Sequence, residues 1–219
     1  MKKIEAVVDT CFLQKLSSEG KNPENIKKIL SELNYIPVAH PYLIQHELSL
    51  FSYFNQMIKE GYIHQVSYSD FLKDNYDRQQ YEAYFSLLYE DMRLALEARD
   101  GTKKISPLEL KKGQTIYNTH RQGSSIGDVH LMLMASFLHM PLILTEDSDI
   151  ELLRSIARRR MSIGTYTLQI YNALDLLKQV AEKTDSSISK NELLQILNEI
   201  KERTHRSEIK TIWNEHHSQ

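Results

Sequence analysis

"IEAVVDTCFL", residues 4–13, decides how the chain begins. Ala6, Val7 and Val8 form an apolar, partly β-branched run, the composition of a strand buried inside a sheet. Asp9 follows at the point where such a strand leaves the sheet. In open α/β sheets ligands bind in the crevice outside the carboxyl ends of the strands. A carboxylate there is either a working group or the N-cap of the helix predicted over 10–17.

Outward from this stretch the periodicity predicts a strand over 3–9 and helices over 10–17 and 23–33, the second entered through Asn22-Pro23 with proline at a favourable first position. A short strand is expected at 35–38. The next helix starts near Pro41 and carries Leu43, Glu47, Leu48 and Phe51. "YIHQVSY", 62–68, alternates weakly like a strand, and a long helix is expected over 76–100, followed by an irregular segment over 101–124. The helix over 125–140 is apolar nearly all round (Val129, Leu131, Met132, Leu133, Met134, Phe137, Leu138), which predicts burial. "PLILT", 141–145, reads as a buried strand, 149–160 as helix and 162–168 as strand-like. The remainder reads as helices joined by "KTDSSIS", with one stripe of Ile170, Leu174, Leu177 and Ala181 and another of Leu193, Ile196, Leu197 and Ile200; Ser189 and Glu192 make a capping box for the second.

These elements predict an α/β fold, a central parallel sheet flanked by helices, in a main domain over 1–168 with a helical insertion at about 50–121 and a helical extension over 169–219. The chain has 219 residues, 41% hydrophobic and 26% charged, as a soluble globular protein would be. The net charge of −2 means that nucleic-acid binding must come from local basic patches. The single cysteine, Cys11, excludes an intrachain disulfide and a multi-cysteine metal site, and its apolar surroundings predict a core position. A reducing, cytoplasmic setting fits this. No signal peptide and no membrane span is legible.

Common chemistries are excluded by motif. No GxxxxGK followed by Ser or Thr occurs, and no GxGxxG, GxSxG or HExxH. A haloacid-dehalogenase-like phosphotransferase also begins with a strand ending in Asp, but needs a second Asp where this chain has Cys11. What remains is a set of carboxylates at predicted element ends: Asp9 after the first strand, Glu47 in "YLIQHEL", Asp128 in "SSIGDVHLMLMA", and Asp147 and Asp149 in "LILTEDSDI". Ionised carboxylates are not gathered in a core without compensation, and the natural compensation is a hard divalent cation, Mg²⁺ or Mn²⁺.

In this order, "VVDT", a helical "HEL", "SSIGDVHLMLMA" and "PLILTEDSD" resemble the PIN domain, a family of small α/β nucleases. The resemblance covers about residues 3–50 and 122–168. It implies that Asp9, Glu47, Asp128 and Asp147 form the acidic site, with Asp149 as a further metal ligand. Thr10 and Thr145 match hydroxyl residues that accompany the first and last acids. It further implies hydrolysis of RNA with one or two divalent ions. The chain departs from the compact family pattern by its insertion and its extension.

Each acid also has a local reading. Asp9 can cap the first helix; Ser125 and Asp128 form an S-x-x-D capping box; Asp147 or Asp149 can cap the helix after the fourth predicted strand. His46, His130 and His139 lie near the acids and read as satisfied, partly buried side chains. Eight tyrosines (Tyr53, Tyr62, Tyr68, Tyr76, Tyr81, Tyr84, Tyr89, Tyr117) crowd the insertion. Aromatics can stack on bases, but Tyr81, Tyr84, Phe85 and Leu88 at helical spacing read as core.

Lys103, Lys104, Lys111, Lys112 and Arg121 make one basic run, and Arg154, Arg158, Arg159 and Arg160 a second; a basic rim around acidic metals suits a phosphodiesterase. The expected activity is therefore metal-dependent endoribonuclease action on an RNA substrate. The alternatives are a PIN-like RNA-binding module without cleavage and a helical scaffold, with a protein partner or self-association through the C-terminal helices.

Overall fold

The computed structural model describes residues 3–99, 105–121, 125–161 and 167–217. Strands β1 (Ile4–Val8), β2 (Tyr35–Ala39), β3 (His64–Gln65), β4 (Leu142–Leu144) and β5 (Gln169–Tyr171) form one five-stranded sheet in the order β3-β2-β1-β4-β5, with every adjacent pair parallel. The register sets Ala6 beside both Pro37 and Leu142, and Val8 beside Leu144. Parallel strands need crossovers, and helices supply them. They are α1 (Thr10–Leu16), α2 (Glu24–Glu32), α3 (Pro41–His46), α4 (Ser52–Lys59), α5 (Tyr68–Phe71), α6 (Asn75–Ala98), α7 (Ile126–Phe137), α8 (Asp149–Arg160), α9 (Ala173–Glu182), α10 (Lys190–Glu199) and α11 (Arg206–His217).

Three consecutive residues of β1, Ala6, Val7 and Val8, are fully buried, and so are Ile143 and Leu144 of β4. Burial without alternation means that both faces of the sheet are covered. The helices fall into two packed groups. In one, α2 packs on β2, α9 packs on β5, and α1 and α2 meet α9, with α10 and α11 outside it. In the other, α7 packs on β1 and β4 and meets α3 and α8, with α6 across α7 and α8. The all-round apolar character of α7 is explained by this position between sheet and insertion.

The C-terminal stripes are spent inside the chain: Leu177, Ala181, Leu193 and Leu197 are fully buried. Polar bonds reinforce the seam. Lys15 meets Glu202 at 2.6 Å, Asn22 and Asn25 donate to Glu199 at 3.0 and 2.8 Å, and buried Glu32 takes Lys183 and Ser187. The expected capping box forms at α10, with Ser189 accepting from the Glu192 N–H.

Two elements differ from the sequence-based expectation. Ile170 lies on β5, not on a helical stripe, because β4 has a free edge: Gln169 N–H donates to Pro141 O and Thr145 N–H to Tyr171 O. A ladder partner distant in sequence outweighs local periodicity here. The strand expected at 162–168 falls mostly on residues outside the described ones. The helix begun at Pro41 ends at His46; Glu47 breaks it, and Leu48–Leu50 form a 3₁₀ turn in which Leu48 is buried. No helix among the described residues is long and apolar enough to cross a membrane.

Candidate active site

In this strand order the chain direction reverses across the sheet between β1 and β4, and the carboxyl ends of those two strands open a crevice. Asp9 leaves β1 there and Thr145, Glu146 and Asp147 leave β4. The two strand ends are stitched at that point by the Asp9 N–H donating to Leu144 O at 3.0 Å.

Asp9 is 7% exposed. It stands at the N-cap position of α1 but its side chain makes no capping bond. Its Oδ2 accepts instead from the Thr145 hydroxyl at 2.7 Å and from the Cys11 thiol at 2.6 Å. Burial raises its pKa above the usual carboxylate value, the charge of Asp147 adds to this, and the bonds from Cys11, Thr145 and the Thr10 backbone oppose it. Thr145, having given its proton to Asp9, accepts the Asp147 N–H at 3.1 Å. Asp147 Oδ1 in turn accepts the Asp149 N–H at 2.8 Å, turning the chain into α8. The cap reading thus fails for Asp9, and at α8 the N-cap is Ser148, so Asp147 makes only a turn bond to the first helical residue. Asp149 is tied to the site through this backbone bond.

Glu47 occupies the break after α3. Burial raises its pKa, the Thr10 hydroxyl lowers it and the Asp9 charge raises it further. Its Oε1 lies so close to the first turn of α7 that a Cβ on Gly127 would meet it at 3.2 Å. Glycine there lets the carboxylate approach the positive end of the α7 dipole. Asp128, the next residue, is half-buried on that same turn. Ser125 makes no side-chain capping bond, so the expected Ser125–Asp128 box does not form.

The fold therefore brings Asp9, Glu47, Asp147, Thr10 and Thr145 to one end of the sheet, and Gly127, next to Asp128 in the chain, lies against Glu47. Among the described residues no group of three or more His, Cys, Asp or Glu side chains is arranged to hold a metal ion. In donor chemistry the set is all carboxylate, which suits Mg²⁺ or Mn²⁺. Asp9 and Glu47, each made unfavourable as an anion by burial and by a neighbouring carboxylate, would be relieved by such a cation. One buried hydroxyl at the start of a site helix, Ser125 Oγ, has no hydrogen-bond partner among the described residues.

Two groups here went unrecognised in the sequence. Cys11, expected in the core, is half-buried in the site; burial and the Asp9 charge push its thiol pKa up, so the proton it donates to Asp9 stays on sulfur. It also accepts the Glu146 N–H at 3.3 Å. Glu146 accepts from the first N–H of α9, Ala173, at 2.7 Å, and burial raises its pKa. Its position inside "TEDSD" was the available signal.

The basic runs divide. Lys103 and Lys104 lie outside the described residues. Lys111 and Lys112 are exposed. Arg121 donates to the carbonyls of Pro107 and Glu109, clamping its own loop. Arg158, Arg159 and Arg160 end α8, which starts beside Asp147; at about 1.5 Å per residue they stand roughly 16 Å from the acids. Arg160 pairs with Asp91 of α6, and Arg154 with Glu151. The second run thus lies along α8, with two of its members already paired within the protein. Comparisons with protein-family models, with curated proteins and with solved structures each find no match to this chain.

Proposed function

We propose that the protein is a metal-dependent endoribonuclease of the PIN-like kind, hydrolysing RNA phosphodiester bonds at the crevice between β1 and β4. The observation that carries the proposal is Asp9: a buried carboxylate at the switch point, unused as a helix cap, oriented by Thr145 and Cys11 and facing the charge of Asp147. The motif order from Asp9 through Glu47 and Asp128 to Asp147 supports it. Asp9, Asp128 and Asp147 would hold Mg²⁺ or Mn²⁺, with Asp149 at the margin. When bound, the cation supplies Lewis-acid activation of water and neutralises charge on the phosphodiester. Thr145 fixes which oxygen of Asp9 is free to bind. Glu47, with its raised pKa, suits the taking and returning of a proton at an attacking water. Lys111 and Lys112 are left to hold phosphates.

The test is incubation of the full chain with mixed structured and single-stranded RNAs, with Mn²⁺ and with chelator, beside Asp9→Asn and Asp128→Asn. Cation-dependent cleavage lost in both variants is expected. Cleavage unchanged in both assigns it to a contaminant; RNA retention without cleavage makes the chain a binding module.

A further inference from the structure

The insertion contains a hydrogen-bond chain that the acid site does not use. His40 ends β2 and caps α3, its Nδ1 accepting the Tyr42 N–H at 2.9 Å. Its Nε2 lies 3.1 Å from the Tyr81 hydroxyl of α6, and that hydroxyl lies 2.7 Å from His130 Nδ1 on α7. His130 Nε2 faces the Ile116 carbonyl at 2.9 Å. His40, Tyr81 and His130 are fully buried. The two ends fix every proton. Nδ1 of His40 accepts, so neutral His40 carries its proton on Nε2 and donates to Tyr81. A carbonyl can only accept, so His130 carries its proton on Nε2, and Tyr81 donates to Nδ1. Stacking fills the rest: the His130 ring lies 4.8 Å from His40, 4.5 Å from Tyr42 and 4.6 Å from Phe85.

From this geometry we infer that Tyr81 is a positioning residue for the acid site, its one hydroxyl setting α3, which Glu47 follows, against α7, whose first turn carries Asp128. His40 holds the start of α3. His130 lies two residues beyond Asp128, about 200° around the helix, so gripping His130 from the insertion side sets the rotation at which Asp128 faces away from it. Gly127 touches Glu47 at the same turn. The insertion is thereby a wall of the site. The hydrogen-bond chain stands by itself; its meaning for catalysis rests on the nuclease reading.

The experiment compares the full chain with Tyr81→Phe, which keeps the ring and removes the hydroxyl, and with Leu96→Ala, a buried control further along α6. Amide hydrogen exchange is expected to quicken about tenfold in both 41–46 and 126–137 of Tyr81→Phe, with β1 and β4 unchanged, as for local release of elements tied by one buried hydrogen bond. An even rise along the chain, a rise in only one of the two helices, or the same pattern in Leu96→Ala overturns the inference. If Tyr81→Phe does not fold, His40→Asn retains a cap for α3 but cannot reach Tyr81, and must loosen the same pair of helices. A melt with Mn²⁺ alone gives the second readout: the concentration for half the thermal shift should rise about fivefold or more in Tyr81→Phe and stay unchanged in Leu96→Ala. A wild-type chain that ignores Mn²⁺ and Mg²⁺ removes the nuclease reading, while hydrogen exchange still decides the role of Tyr81.

Discussion

The acid site has two halves held by different means. Asp9 and Asp147 ride on β1 and β4, adjacent strands of a buried parallel sheet, and only short bonds from Thr145 and Cys11 are needed to orient them. Glu47 follows α3 and Asp128 rides on α7, and a buried histidine–tyrosine chain through the insertion links those helices. A backbone ladder repeats and tolerates the loss of any one side chain. A side-chain chain does not, because removing one member leaves its neighbours buried and unpaired. The sheet half should therefore be robust in structure and sensitive only in chemistry, and the insertion half sensitive in both.

The largest expected effect separates chemistry from structure. Asp9→Asn should lower Mn²⁺-dependent RNA cleavage on the order of 100-fold or more, the loss typical of removing one preorganised charged group, with the far-UV circular dichroism unchanged. A loss below about threefold in kcat/KM would remove Asp9 from the chemistry.

Next comes the structural contrast. Tyr81→Phe should destabilise the chain by about 1–3 kcal/mol in denaturant melts, since it strands His130 Nδ1 and the His40 donor in the core. Thr145→Val should cost less than Tyr81→Phe, because Asp9 keeps its bond from Cys11 while Tyr81→Phe strands two buried groups. Equal costs would erase the distinction between the two halves.

Titration should divide them by sign. Burial holds His40 well below the ordinary histidine range and pushes His130 down to about 3. Their neutral forms stabilise the fold fully above the unfolded value near 6.5, and each histidine forfeits about 1.4 kcal/mol per pH unit as pH falls from there toward its folded pKa. Asp9 and Glu47 have raised folded values, so they do the reverse: their contribution is complete below the ordinary carboxylate pKa and is lost as pH rises through the folded one. Melts between pH 7 and pH 5 should show a fall in stability on acidification, about 1 kcal/mol or more, that His130→Gln makes shallower. Asp9→Asn removes a contribution of the opposite sign. A His130→Gln variant with the wild-type slope would contradict a neutral buried imidazole.

At pH 7 without metal, Asp9→Asn should raise stability by on the order of 1 kcal/mol, since it removes a buried charge facing Asp147 and loses no capping bond. Mg²⁺ or Mn²⁺ should stabilise the wild type more than this variant, as linkage requires. A variant that melts lower and gains as much from metal returns Asp9 to a purely local role.

The smallest effect concerns charge. Replacing Lys111 and Lys112 with Ala should flatten the salt dependence of RNA binding by about two counterions' worth, and Arg158 with Arg159, at the far end of α8, should not. The opposite result would move the RNA path to the α6–α8 face.

How much of this was legible follows contact range. β1, α1, α2, β2, α6, α7, β4, α8 and the α10 cap were readable because periodicity and capping are local properties. Tyr81, Phe85 and Leu88 read as core and are core. β5 was misplaced because its strand state depends on the β4 edge. Glu47 was read within a helix that it ends. Arg121 was read as a phosphate contact and binds its own loop.

By itself the sequence determined the class of fold and the positions of its acids at element ends. Apolar runs, alternation and carboxylate identity are properties of neighbours along the chain. Only the tertiary structure decided that Asp9 caps nothing, that Thr145 and Cys11 orient it, and that His40, Tyr81 and His130 tie the insertion to the acid-bearing helices. Each of those facts joins residues far apart in the chain, or turns on which way a side chain faces after packing. Local propensity carries no information on either.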